Sequence, residues 1–304
     1  MMKLIECVPN FSEGRRAEVV QEIVGAITAV QGIRVLDRSS DASHNRSVIT
    51  FVGDPMAVKK AAFTAAQKAA ELIDMEQHRG EHPRMGATDV IPLIPVSGVS
   101  MEDCIALARE LGREIGEKLQ IPVYLYEEAA ALPERKNLAA VRRGEYEGLK
   151  KAIEKPHRHP DFGPLRLHPT AGATAVGARP PLIAYNINLD SSDVNIARKI
   201  ARSIRGSNGG YPSIKALGVL IKESNRAQVT INVCNYRHVP LSRIFETVKS
   251  EAARYGVGVS GSEVIGLLPM EALLDAAAFY LRLQDFHPGQ VLEKRLMEGE
   301  KEGR

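Results

Sequence analysis

The sequence predicts an α/β (α+β) protein built from two ferredoxin-like units, and three observations carry that prediction. Short apolar runs alternate with longer segments whose apolar residues recur at helical spacing, the signatures of strands and amphipathic helices. Residues 182–281 follow the order β-α-β-β-α-β, the split βαβ arrangement, and the first half starts in the same order before it extends. At 304 residues the chain exceeds one compact domain. The units are expected at 1–180 and 181–304, with the boundary near 179–181. No repeated word links the halves, so any symmetry between them is architectural.

Residues 3–8 read as a short apolar strand stopped by Pro9 and Asn10. Ser12 stands where an N-cap would open a helix through Val19, Val20, Ile23, Ile27 and Val30, with Gly32 as its stop. Strands follow at 33–36 and 48–52, separated by the polar loop 37–46. Asp54 and Pro55 open an alanine-rich helix to about residue 73, since proline is tolerated at the first helical position. Residues 90–96 are a strand, and Ser100 with Asp103 makes a capping box for a helix to about 119. Another strand covers 122–126, and short helices fill 127–155 with Tyr146, Leu149 and Ile153 on one face. Residues 156–160 are a polar connector.

The second half opens with a strand at 182–189 and a helix, capped by Ser191 or Ser192, to about 204. A glycine-rich loop at 206–210, strands at 214–221 and 228–235, a helix at 241–255, a strand around 257–259 and a last helix at 269–281 follow. The tail 293–304 is highly charged and expected to fray.

Composition is that of an ordinary soluble protein, 44% hydrophobic and 25% charged, and a formal charge of +3 gives no argument for nucleic acid. Cys7, Cys104 and Cys234 are odd in number and form no Cys-x-x-Cys pair, which fits reduced thiols in a cytoplasm. Cys7 in a strand and Cys104 in a helix are expected in the core. No apolar run approaches the ~18 residues of a membrane span, and no signal segment opens the chain.

Most of the chemistry sits in residues 78–95, where a loop with two histidines, two arginines and two acids runs into an apolar strand. His78, Glu81 and His82 spell an inverted zincin motif, with the histidines as zinc ligands and Glu81 as base. That motif works only on a helix, where positions i and i+4 share a face. Gly80 and Pro83 argue against a helix here. The other reading makes His82 a general base or acid fixed by Pro83, because imidazole exchanges protons near neutral pH. A histidine that only hydrogen-bonds a neighbouring loop fits the chemistry equally well.

Asn45 and Arg46 end the polar loop just before a strand, in reach of a sheet-edge cleft. An arginine there, or Arg84, suits a carboxylate ligand, which a guanidinium grips with two parallel hydrogen bonds. The Gly- and Pro-rich passage 161–178 carries Arg166, His168 and Thr170, and its glycines would let backbone amides approach a ligand. The loop 206–211 lies in helix-loop-strand order, the reverse of a phosphate-binding loop. His44, His157, His159, His238 and His287 have no spacing that suggests a metal.

Five words in order resemble the glutamate formimidoyltransferase family, the folate-dependent formiminotransferases of histidine breakdown. They are Glu-Cys-Val-Pro-Asn-Phe-Ser-Glu-Gly at 6–14, Gly-Glu-His-Pro-Arg-Met-Gly at 80–86, Pro-Val-Tyr-Leu-Tyr at 122–126, Pro-Asp-Phe-Gly-Pro at 160–164 and Leu-Leu-Asp-Ala-Ala-Ala-Phe-Tyr at 273–280. The resemblance spans nearly the whole chain. It implies two subdomains with facing mixed sheets, helices on the outer faces and a substrate cleft between them. It implies transfer of the formimino group from N-formimino-L-glutamate to tetrahydrofolate, with His82 as proton shuttle. Tetrahydrofolate would be a co-substrate, with no metal, and the protein a homodimer.

The resemblance further places folate contacts on Gly163, Pro164, Leu165, Arg166, Leu167, His168, Pro169, Thr170, Ala171 and Gly172. Gly163, Pro164 and Pro169 follow the family pattern, while Arg166 and His168 are particular to this chain. Relatives carry an aspartate two positions after Asp37 that can serve His82; here Ser39 stands there, and Asp41 is the nearest substitute. Asp41, Asn45, Arg46 and Arg84 are the candidates for substrate binding. The sequence leaves no room after residue 304 for the cyclodeaminase domain of some family members, so ammonia release is expected to fall to another protein. A glutamate formyltransferase using the same folate site, a zinc hydrolase using His78, Glu81 and His82, and a non-catalytic folate- or RNA-binding module remain as alternatives.

Overall fold

A computed structural model describes residues 3–299. The chain divides after Arg179 into two compact units. In the first, β1 (Leu4–Cys7), β2 (Asn10–Phe11), β3 (Arg34–Asp41), β4 (Arg46–Gly53), β5 (Thr88–Ser97), β6 (Val123–Glu127) and β7 (Thr174–Ala178) form one seven-stranded sheet. Its order is β1-β4-β2-β5-β7-β6, with β3 added on β4. β5, β7 and β6 run parallel, and the remaining pairs are antiparallel.

Alternate residues of a strand point to opposite faces, and this sheet is covered on both. Ile91 and Leu93 of β5 and Val123 and Leu125 of β6 join the cluster formed with α1 (Ala17–Thr28), α2 (Pro55–Leu72) and α3 (Met101–Lys118). Val90, Tyr124 and Tyr126 join a second cluster with Val141 of α4 (Leu138–Val141), Leu149 of α5 (Glu145–Ala152) and Ile153. Cys7 and Cys104 are buried in the first cluster, as their positions predict.

The caps of α2 and α3 form as expected. Asp54 accepts from the Met56 and Ala57 amides, and Ser100 and Asp103 make a complete capping box. Ser12 is not a cap. Its hydroxyl donates to the Gly86 carbonyl at 2.8 Å, and α1 starts only at Ala17, with Glu13 accepting from the amides of Arg15 and Arg16 at 2.9 Å each. The polar run expected as a loop over 37–46 is mostly strand. β3 is an edge strand paired only with β4, so its polar side chains stay solvated without breaking the ladder. The largest correction is β7, a strand within the Gly- and Pro-rich passage 161–178 where none was expected.

The second unit is β8 (Ile183–Leu189), α6 (Val194–Ile204), β9 (Ile214–Ile221), β10 (Arg226–Val233), α7 (Leu241–Ala253) and β11 (Val259–Ile265), followed by α8 (Met270–Leu281) and α9 (Leu292–Gly299). The sheet order β11-β8-β10-β9 is that of the split βαβ fold. Every pair in it is antiparallel, so the mixed sheet expected in both units occurs only in the first. Ile183, Ile187, Val229 and Ile231 pack against Ala197, Ile200, Ile244 and Val248 to form a separate core. Asp193, not a serine, caps α6, and β11 starts at Val259. The charged tail is helical through Gly299, and residues 300–304 lie outside the described residues. Among the described residues no helix is long and apolar enough to cross a membrane.

Candidate active site

The site grows from the place where the β3–β4 turn meets the loop between α2 and β5. Asn45, in the left-handed conformation at φ 48°, ties them together. Its Oδ1 accepts from the Gly14 amide at 3.0 Å, its Nδ2 donates to the Arg79 carbonyl at 3.0 Å, and its own carbonyl accepts from His78 Nε2 at 3.0 Å. A Cβ on Gly80 would lie 2.3 Å from the His44 carbonyl oxygen, so the two backbones meet only because residue 80 is glycine. Asn45, a candidate substrate ligand, therefore has both ends of its amide engaged in holding the loops.

His78 is buried with both ring nitrogens in use: Nε2 donates to Asn45, and Nδ1 accepts from Arg84 Nε at 3.3 Å. Arg84 is buried as well. Its Nη1 and Nη2 make a two-bond pair with Glu147 at 2.9 and 2.7 Å, and Nη1 also donates to Glu145 at 3.0 Å. These carboxylates hold its guanidinium above the ordinary arginine range, the hydrogen bond to Glu147 contributing most. Arg84 thus braces the loop against α5. Residues 78–82 are not helical, so the geometry required by the zincin reading is missing.

His82, half-buried, accepts a hydrogen bond at Nε2 from Arg46 Nη1 at 2.8 Å. Arginine has no acceptor, so Nε2 carries the lone pair and the neutral ring bears its proton on Nδ1. Burial, then the positive charges of Arg46 and Arg142, pull the His82 pKa down to about 3. The imidazole is therefore neutral at physiological pH. The His44 ring stands edge-on at 6.5 Å between centroids.

The carboxylate expected to serve His82 is elsewhere. Asp41 accepts from the His44 amide at 2.8 Å and pairs with His44 Nδ1 at 3.0 Å, and it does not reach His82. The acid at the base of the cluster is Asp89, 2% exposed, which sequence reasoning passed over. Its Oδ1 accepts from the Met85 amide at 2.9 Å, and Oδ2 accepts from Arg142 Nη2. Arg142 keeps a buried Nε without a hydrogen-bond partner. Burial, with Arg142 as the next cause, lowers the pKa of Arg46. Asp89 did leave a signal, an acid inside the run that enters an apolar strand; Arg142 left none.

The segment 163–172 is not one surface. Gly163 packs beside α3, where a Cβ would come within 3.2 Å of Gly116 Cα, and Leu165 and Arg166 point to solvent. Leu167 packs on both clusters of the first unit. His168 organises a tight turn over Pro169, its Nδ1 accepting from the amides of Ala171 at 3.0 Å and Thr170 at 3.4 Å. Thr170, Ala171 and Ala173 then bond to Met75, Ala87 and Met85 through the backbone at 2.8, 2.9 and 3.1 Å. Ala171 and Gly172 are thereby brought against the strand that follows His82.

Fold and site together define a class: a two-unit α/β protein carrying a neutral, arginine-bound histidine beside an Arg142–Asp89 ion pair. Comparison with known proteins supplies the family. Residues 4–179 match the family model described as "Formiminotransferase domain, N-terminal subdomain", and residues 184–295 match "Formiminotransferase domain". The chain belongs to the formiminotransferase family. It is 49% identical to the glutamate formimidoyltransferase of Streptococcus pyogenes serotype M1, over 98% of this chain and 100% of that protein. It is 50% identical to the glutamate formimidoyltransferase of Thermoplasma acidophilum, over 97% and 98%. The formimidoyltransferase-cyclodeaminase of Gallus gallus is 45% identical over 97% of this chain but only 57% of its own length.

Proposed function

We propose that this protein transfers the formimino group of N-formimino-L-glutamate to tetrahydrofolate, giving 5-formimino-tetrahydrofolate and L-glutamate, a step of histidine degradation. The observation that carries the reading is the match of both units to the family together with near-complete alignment to two glutamate formimidoyltransferases.

The folate N5 attacks the formimino carbon to give a tetrahedral intermediate, which collapses as the bond from that carbon to the glutamate nitrogen breaks. One proton must leave the folate nitrogen and one must reach the glutamate nitrogen. In this reading His82 accepts the first proton and returns it to the leaving amine; its ring is neutral at working pH, and its Nε2 lone pair is held by Arg46 in this geometry. Two substrates held together lose their encounter entropy before the chemical step, which supplies much of the remaining acceleration.

Within residues 163–172, the end at Ala171 and Gly172 supplies folate contacts in this reading, supported by the bonding of Ala171 and Ala173 to the residues that follow His82. Exposed apolar side chains on α8, among them Leu273, Phe279 and Leu281, support a homodimer, which light scattering tests. A spectrophotometric assay with tetrahydrofolate and N-formimino-L-glutamate, run beside N-formyl-L-glutamate and with added chelator, tests the function. Chelator-resistant 5-formimino-tetrahydrofolate is expected; product from the formyl donor alone would replace the substrate assignment.

A further inference from the structure

The lone pair of His82 is already engaged. Nε2 accepts from Arg46, so the remaining nitrogen, Nδ1, bears the proton. A proton shuttle in this state is blocked until the arginine moves.

The charges around it indicate what would move it. His82 is faced by Arg46 from β4, by Arg142 from the turn after α4, and by His44 and His78. Of the nearby acids, Asp89 is bonded to Arg142 and the Met85 amide, and Asp41 to His44. Arg46 therefore donates to a neutral ring, where a guanidinium would form stronger, two-bond contacts with a carboxylate. Beside it, Arg142 has a buried Nε with no acceptor. Among the described residues, one carboxylate, Asp89, is hydrogen-bonded to either of these two arginines.

We propose that a carboxylate of the amino-acid donor docks between Arg46 and Arg142 and draws the Arg46 guanidinium off His82 Nε2, freeing the lone pair that accepts the folate proton. This rests on the reading of the function above and adds to it a condition: the base becomes competent only when the donor is bound. No bond to carbon forms or breaks in this step, which exchanges one hydrogen-bond acceptor of Arg46 for another. It also partly cancels the positive field on His82, so donor binding makes the ring more basic. Arg46 is a positioning residue for His82 as well as a ligand, and Arg142 is the second half of the carboxylate clamp.

The test is a titration of His82 by nitrogen NMR in the whole protein, with and without saturating L-glutamate, the product that carries the same carboxylates. The His82 midpoint is expected to rise by about one pH unit or more when L-glutamate binds, the scale on which one neighbouring charge acts. In Arg46→Gln the midpoint is expected to be raised already and to stay put when L-glutamate is added. Arg142→Lys, which keeps a positive charge beside Asp89, is expected to weaken L-glutamate binding by about tenfold or more through loss of the two-bond geometry. An active wild-type protein whose His82 midpoint is the same with and without L-glutamate overturns the proposal and leaves the function standing. A wild-type protein inactive with N-formimino-L-glutamate overturns both.

Discussion

His82 is the residue on which the proposed chemistry turns, and its replacement has a defined expected cost. His82→Ala should lower turnover roughly 100-fold to 10,000-fold, the usual range for a proton-transfer residue, in the tetrahydrofolate assay; near-normal turnover would remove the role. The same ring should also leave a mark on stability. The unfolded chain binds a proton to this imidazole below its ordinary pKa of 6.5, whereas the folded protein does so only near pH 3. Protons therefore favour the unfolded chain in that window, and the contribution is fully present above pH 6.5 and falls away toward pH 3. Urea unfolding of wild type and His82→Gln should show a shallower acid-side decline in the variant. At this scale the sequence disclosed residue types better than partnerships. His82 and Arg46 stand out by composition, but Asn45 and Arg84 prove to be occupied by His78, Arg79, Glu145 and Glu147. The Asp89–Arg142 pair spans 53 residues and follows no local pattern.

Elements whose signals are local were legible from sequence: the capped starts of α2 and α3 are set by Asp54, Ser100 and Asp103 within one turn. Elements defined by distant neighbours were not. β7 reads Thr-Ala-Val-Gly-Ala, small residues with no strong strand bias, and it is a strand because β5 and β6 flank it. Just before it, Gly86 and Gly172 form an isolated bridge between the His82 loop and the segment proposed for folate. A Cβ on Gly86 would lie 2.2 Å from the Ala173 carbonyl oxygen and 2.4 Å from that of Ala171. Gly86→Ala must push these backbones apart. It should destabilise the protein by about 2 kcal/mol or more in urea unfolding and raise KM for tetrahydrofolate, whereas unchanged stability would mean the bridge is not held in solution.

The two units bury different sets of residues, two clusters in the first and one in the second, and each unit is expected to open locally at its own free energy. Ile187→Ala, at a fully buried position on β8, should cost about 2–5 kcal/mol. Hydrogen exchange should show the loss across β8, β10 and β11, with the amides of Met85, Ala87 and Ala173 keeping their protection. The place of β7 in the first sheet has a consequence for how the protein is made. β5 and β6 leave the ribosome well before it, and each then shows an unpaired parallel edge until residues 174–178 emerge and slide between them. The first sheet can therefore close only after residues 174–178 have been made, so a chain cut short before them would leave β5 and β6 without the strand that joins them.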